Sequence, residues 1–311
     1  MKAAQLALLI LIGCGSGLRS DPTGVGTVTS GLTDPVWLAQ DSSNLYVVEQ
    51  ISTGYKLLRV AKTGGTAQVL ATDPVIEAVI ADDAGVYWIG FDGSAARVLA
   101  LAHGATTPVE LGRSNNGFNG STLRNMTIDA QAVYFSDEQG SIWRVPKAGG
   151  GAIALGMTDS TAGAIATDSD GVWVSTLHGA KHITTTGVAR ELAFAQRPPD
   201  ALASDGNLLF AMCAGSGFAD GSIVRVSLTD SPVTLTSTLI LPTDIKVADG
   251  HLYIATANED SAIRMLPESG GEPVLLAQAH QDGRGPGALA VDDAFIYWTE
   301  TYLGEIRKIA R

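Results

Sequence analysis

Asp129-Ala130-Gln131-Ala132-Val133-Tyr134-Phe135-Ser136, then Asp137-Glu138-Gln139-Gly140, then Ser141-Ile142-Trp143-Arg144-Val145, reads as turn, strand, turn, strand. Asp and Gly punctuate runs of β-branched and aromatic residues. Upstream, Asn125-Met126-Thr127-Ile128 supplies a short first strand. Downstream, Pro146-Lys147-Ala148-Gly149-Gly150-Gly151 turns the chain into Ala152-Ile153-Ala154-Leu155. Glycine supplies the positive φ that such a hairpin needs. The unit is four strands long.

The unit recurs. Its core is an Asp, a short turn and a strand that opens with a hydrophobic pair, in most copies aliphatic then aromatic. The copies are Asp41…Leu45-Tyr46, Asp82…Val86-Tyr87, Asp129…Val133-Tyr134, Asp168…Val172-Trp173, Asp205…Leu208-Leu209, Asp249…Leu252-Tyr253 and Asp292…Ile296-Tyr297. They lie about 42 residues apart, and a period of about 40–45 residues without helical patterning marks a β-propeller with one blade per repeat. The chain is therefore expected to be all-β, a seven-bladed propeller of four-stranded blades spanning 25–311.

The last repeat stops at Ile306-Arg307-Lys308-Ile309, close to Arg311, without an outer strand. The segment Gly24-Val25-Gly26-Thr27-Val28-Thr29-Ser30 has the length to replace it. An N-terminal strand is expected to close the last blade and remove an open edge. Each repeated Asp is expected to anchor its turn, since its side chain bonds amides two residues on. Arg59, Arg144, Arg225, Arg264 and Arg307 are read as one phase of the third strand, on the blade surface. The Lys-x-Gly-Gly hairpin at Lys147 has a copy at Lys62-Thr63-Gly64-Gly65 and a relic at Glu268-Ser269-Gly270-Gly271.

The amino terminus carries a different signal. Met1-Lys2, an apolar run from Leu6 to Ile12, and Gly13-Cys14 describe a signal peptide over 1–13. The run is too short for a permanent membrane span. Leu11-Ile12-Gly13-Cys14 resembles a bacterial lipobox, which implies lipidation of Cys14. Residues 14–24 are small, polar and Gly-rich, as a tether is. Acyl chains contribute about 0.8 kcal/mol per buried CH₂, so several on one Cys anchor a protein stably. Gly15 after the Cys points to the periplasmic side of the outer membrane or the cell surface. With Cys14 lipidated, Cys213 remains, and an intrachain disulfide is not available.

The formal net charge of −12 argues against nucleic acid, which needs concentrated Lys and Arg. It also argues against charge-driven attachment to anionic lipid, leaving the lipid anchor as the membrane contact.

Long connections at Gly112–Leu123, Ala193–Asp200, Met212–Ser222, Thr256–Ala262 and Ala277–Gly287 share one face of the ring, where binding residues usually live. Counting back five residues from each Asp gives a ring at the channel mouth: Val36, Glu77, Arg124, Gly163, Asp200, Asp244 and Gly287. Glu77, Asp200 and Asp244 are candidate oxygen ligands for Ca²⁺ or another divalent cation, since hard cations take oxygen from several strands. Arg124, Asn125, Asn258, Glu259, His280 and Arg284 are candidate binding-face residues. No phase relation suggests a catalytic triad, and no HExxH or paired-Cys metal spacing occurs.

Tyr297-Trp298-Thr299-Glu300 resembles the YWTD signature of low-density-lipoprotein-receptor-type propellers, with weaker copies at Tyr87-Trp88-Ile89-Gly90 and Tyr134-Phe135-Ser136-Asp137. Arg144-Val145-Pro146-Lys147-Ala148-Gly149-Gly150 resembles repeats of NHL-type propellers and of propeller lipoproteins from myxobacteria-like organisms. YWTD rings have six blades, so the resemblance implies blade style rather than receptor function. The acidic mouth is similar to the metal location of gluconolactonase-like propellers. Two functions follow: a lipid-anchored platform for a protein, peptide or glycan, or a metal-dependent hydrolase, lactonase or lyase.

Overall fold

The computed structural model describes residues 24–114, 125–137, 139–158, 163–195, 197–215, 219–258, 261–280 and 285–311. They form seven four-stranded antiparallel sheets, and the inner strands of all seven line a central channel. The fold is a seven-bladed β-propeller. Blade 1 runs from inside outward as Pro35–Gln40, Asn44–Ile51, Gly54–Ala61 and Gln68–Asp73. Blades 2 to 6 occupy 76–113, 126–157, 165–193, 201–239 and 242–278.

Blade 7 comprises Pro286–Val291, Phe295–Glu300 and Glu305–Ala310, with Gly26–Thr29 as its outer strand. The closure is as the sequence predicts. Gly26 pairs with Lys308 and Thr29 with Ile306. Val25 packs between blades 6 and 7, and Val28 between blades 7 and 1.

The core is divided by seam. One cluster of buried residues fills each of the seven gaps between neighbouring blades. Second strands are apolar through their middle because both their faces meet a neighbour. Leu45, Tyr46, Val47 and Val48 are each no more than 1% exposed.

The turn aspartates anchor as expected. Oδ1 of Asp41, Asp82, Asp129, Asp168, Asp205 and Asp292 accepts amide protons from the residues two and three places on. Oδ2 then receives the tip of an aromatic on the same blade. Tyr46 and Tyr134 donate to it at 2.7 Å, Trp173 at 2.8 Å and Tyr297 at 3.1 Å.

The next blade adds a basic side chain, beside that same carboxylate at three seams and beside the tyrosine hydroxyl and Asp249 at a fourth. Lys62 of blade 1 lies 2.8 Å from Asp292 of blade 7 and 5.6 Å from the Tyr297 ring centre. Lys147 of blade 3 lies 2.5 Å from Asp82 of blade 2 and 5.4 Å from the Tyr87 ring centre. His103 of blade 2 stands 3.4 Å from Asp41 of blade 1. Arg311 of blade 7 donates to Tyr253 Oη of blade 6 at 2.9 Å and pairs with Asp249 at 2.9 Å. All four residues sit three places after the third-strand residue that pairs with the aromatic: Arg59, Ala100, Arg144 and Lys308.

That register corrects three readings of the repeat. In the fifth copy the aliphatic-aromatic pair is Leu209-Phe210, since Phe210 takes the place opposite Arg225. In the sixth, Asp249 comes one residue late: Ala248 holds the anchoring place, and Asp249 adopts φ 47° in the turn. Arg264 and Arg307 fall one step off the phase of Arg59, Arg144 and Arg225, because they pair with Ile254 and Trp298 rather than with the tyrosines.

Two predictions follow from the frame. Burying Val25 and Val28 contributes about 1.5–3 kcal/mol each. A chain starting at Thr33 should lose that and the outer ladder of blade 7, with Tm falling by about 10 °C or more by calorimetry. The second concerns acid. Burial acts to raise Asp82 and Asp292, but the hydrogen bonds and charge of Lys147 and Lys62, together with the two turn amides at each, outweigh it and hold both carboxyls below the usual range. A carboxyl lowered by folding stabilises fully above its unfolded value and loses that contribution as pH falls through the folded value. K147A should therefore cost about 1–2 kcal/mol near neutral pH, and the difference from wild type should shrink as acid protonates Asp82 through its lowered value in a Tm-versus-pH series.

Candidate functional site: the channel and the loop-bearing face

The channel encloses about 1170 Å³. Its wall is largely small. Ala78, Ala164, Ala201 and Ala288 occupy one layer, four places before the anchoring position. Trp37, Asn125 and Asp244 interrupt that layer. Asp244 therefore belongs one step deeper than the mouth ring, and Thr243 takes the sixth place at the mouth. The late Asp249 caused the miscount, since Lys246 rather than Val247 pairs with Tyr253.

Asp244 is committed to the frame. Lys246 donates to its two oxygens at 2.7 and 2.9 Å, and Leu289 N–H of blade 7 donates at 2.8 Å. Thr243 Oγ1 donates to the Pro286 carbonyl at 3.0 Å across the same seam. Asp200 is exposed at the mouth and accepts from Ala214 N–H at 2.6 Å. Glu77 is half-buried at the start of its inner strand and does not line the channel with Asp200 and Asp244. Among the described residues, no three His, Cys, Asp or Glu side chains group closely enough to hold a metal ion. Cys14, Arg124, Glu259 and Arg284 lie outside the described residues.

Asn258 and His280 lie on the loop-bearing face, away from the channel wall. Asn258 adopts φ 61°, and its carbonyl accepts from Ser261 Oγ at 2.7 Å. His280 stacks on Tyr302 with ring centres 5.5 Å apart. Tyr302 is 67% exposed, and Leu303 beside it and Leu177 of blade 4 are exposed on the same face.

Sequence reasoning missed a tier of buried carboxylates beneath this face. Glu49, Asp137 and Glu300 each lie eight residues after a turn Asp and are at most 4% exposed. Glu49 accepts from Thr33 N–H at 2.9 Å. Asp137 accepts from Ser141 N–H at 2.9 Å and from Trp143 Nε1 at 2.8 Å. Glu300 accepts from Trp298 Nε1 at 2.8 Å and His280 N–H at 3.4 Å. Blade 2 has Gly90 at this place, and Asp73 fills the space, 3.0 Å from where a Cβ would stand. The second acidic residue at fixed distance from the first was the available signal. Burial pushes the Glu300 and Asp73 carboxyls up.

His182 was also missed. It is buried, with Nε2 2.9 Å from Asp168 Oδ2 and its ring 4.8 Å from that of Trp173. Burial acts to raise Asp168, and His182 with two amides brings it down to about 2. Cys213 ends the second strand of blade 5 half-buried, where burial and then Asp200 push its thiol up. It stays a protonated thiol at neutral pH.

No family model matches the chain, and no curated protein matches it. Solved structures do. The WD40 β-propeller domain of Doa1 is similar over 92% of this chain and 96% of its own, with TM-score 0.69 and 13% identity. BamB from Moraxella catarrhalis covers 94% of this chain and 93% of its own, with TM-score 0.59 and 14% identity. A chain of a nidogen/laminin complex covers 77% of this chain and 95% of its own, with TM-score 0.53 and 14% identity. At such identities the likeness establishes the fold, a β-propeller, and nothing finer.

Proposed function

We propose that the chain is a lipid-anchored protein of the cell envelope whose propeller is a docking platform, with the loop-bearing face as its working surface. The observation that carries this reading is the construction of that face. Exposed Tyr302 and Leu303 follow directly on buried Glu300, which accepts from Trp298 Nε1 and His280 N–H, buried Glu49 and Asp137 fasten neighbouring connections in the same way, and Leu177 is exposed on the same face. Rigid backing with exposed aromatic and aliphatic tips suits recognition, because little ordering entropy remains to be lost on binding. The turn acids are engaged in the frame rather than gathered into a reactive centre.

The neighbours agree in kind: one was solved in a nidogen/laminin complex, and another is BamB. The partner is a protein, peptide or glycan rather than nucleic acid, given the net charge of −12. Attachment at Cys14, and kinship with YWTD, NHL and myxobacterial lipoprotein propellers, belong to the same proposal and rest on sequence. A divalent-metal hydrolase is the competing reading, and it would use exposed Asp200 with residues of the neighbouring loops.

Three measurements separate these. Cys14→Ala should abolish incorporation of labelled palmitate and release the chain from membranes; unchanged membrane retention would sink the anchor. A photo-crosslinking residue at Tyr302 should give a discrete adduct in envelope extracts, while one at Asp83 on the opposite face should not; equal yields would remove the platform reading. Calcium titration calorimetry should give no heat beyond dilution, whereas stoichiometric binding lost in Asp200→Ala would favour the hydrolase.

A further inference from the structure

The clamp place, three residues after the partner of the aromatic, is occupied in turn by Lys62, His103, Lys147, Thr185, Leu228, Glu268 and Arg311. The backbone there is nearly constant. The amides of Lys62, Lys147 and Glu268 donate to Ser43, Gln131 and Gly250 carbonyls at 3.0, 2.9 and 3.0 Å. Side-chain chemistry therefore varies on a fixed scaffold. At the third seam Thr185 is neutral. At the fourth, Leu228 joins the apolar cluster and His182 serves Asp168 from within blade 4. At the fifth, between blades 5 and 6, a carboxylate stands where lysine stands elsewhere.

The fifth seam keeps its apolar cluster and one cross-blade bond from Arg225, but no ammonium stands by its turn carboxylate among the described residues. Phe210 replaces the tyrosine, so no hydroxyl reaches the second oxygen of Asp205. Asp205 Oδ1 is taken by the amides of Asn207 and Leu208, both at 2.7 Å. Arg225 of blade 5 donates to the Glu268 backbone carbonyl at 3.1 Å.

We infer that the ring opens first between blades 5 and 6, where Glu268 in the clamp place faces Asp205, and that mild acid closes this seam by protonating Glu268. The groups facing Glu268 are Asp205 and Arg225 of blade 5 and His251 of its own blade. Burial, then Asp205, push its carboxyl above the ordinary range, while Arg225 and His251 act against that. A carboxyl raised by folding destabilises when ionised, so stability at this seam grows as pH falls through the raised value. Asp82 and Asp292 behave oppositely and lose their contribution only at lower pH.

Hydrogen exchange of the full chain, read by mass spectrometry and corrected for intrinsic rates, tests this at about pH 7.5 and about pH 5. At the higher pH, peptides from 201–213 and 242–256 should be protected several-fold less than 76–91 and 126–136. At the lower pH their protection should rise by about three- to fivefold. E268K should supply the missing ammonium, raise Tm by about 2 °C and abolish that rise. E268Q should abolish it without a new ion pair, and H251Q should retain it. Equal protection at the second and fifth seams at the higher pH would overturn the inference. So would a pH effect that survives E268Q or disappears in H251Q.

Discussion

The two oxygens of the turn aspartates at Asp41, Asp82, Asp129, Asp168 and Asp292 have separate duties, and the ring depends on that division. One oxygen fixes the hairpin of its own blade. The other receives the aromatic tip of that blade and, at the clamped seams, a cation from the next. The Asp–Tyr–Lys contact between blades 2 and 3 thus joins local turn, blade core and seam in one cluster. Desolvation around it is partial, so the ion pairs are modest singly. Their effect comes from cyclic arrangement, because a propeller has no hub and each blade is held by its neighbours. The charge of −12 has its explanation here: much of it lies in the turn acids, and these are frame residues.

Two tiers of carboxylate divide the work between the faces. The lower tier, at the turns, ties blade to blade. The upper tier, eight residues later, ties loops to blades through amides and indole N–H groups. Glu300 is the clearest case, since it holds the Trp298 indole and the backbone of His280, whose ring supports Tyr302. A loop fastened at its base by a buried carboxylate presents its tip with a defined direction. Burial raises Glu300 while Lys147 lowers Asp82, so acid affects the two faces in opposite senses.

The period was legible because turn chemistry is local. Asp, Gly and the apolar second strand can be read within ten residues, and closure by Gly26–Thr29 follows from counting strands. What could not be read was anything that depends on which blade stands beside which. The sequence displays Lys62 and Lys147 in a recognisable hairpin, yet their role requires Asp292 and Asp82 from the preceding blade. The candidate site suffered from a one-residue slip. Asp249 imitates the repeated Asp, and counting back from it put Asp244 in the mouth ring, when strand register places it one layer in, paired with Lys246. In a strand, one residue exchanges the two faces.

The departures from sevenfold repetition are not scattered. Basic clamps, Arg311, Lys62, His103 and Lys147, occupy four consecutive seams, from blade 6 through 7, 1 and 2 to 3. The three without them, from blade 3 through 4 and 5 to 6, are consecutive too. The clamped arc contains the closure, where the circle is completed by paired strands rather than by chain continuity. Arg311 and Lys62 place ionic contacts on both sides of blade 7, the one blade assembled from the two ends of the propeller. Tyr302 and His280 lie on the clamped arc. Of the candidate docking residues, Tyr302, Leu303 and His280 thus stand on the clamped half, whereas Leu177 stands with Asp200 and Cys213 on the other.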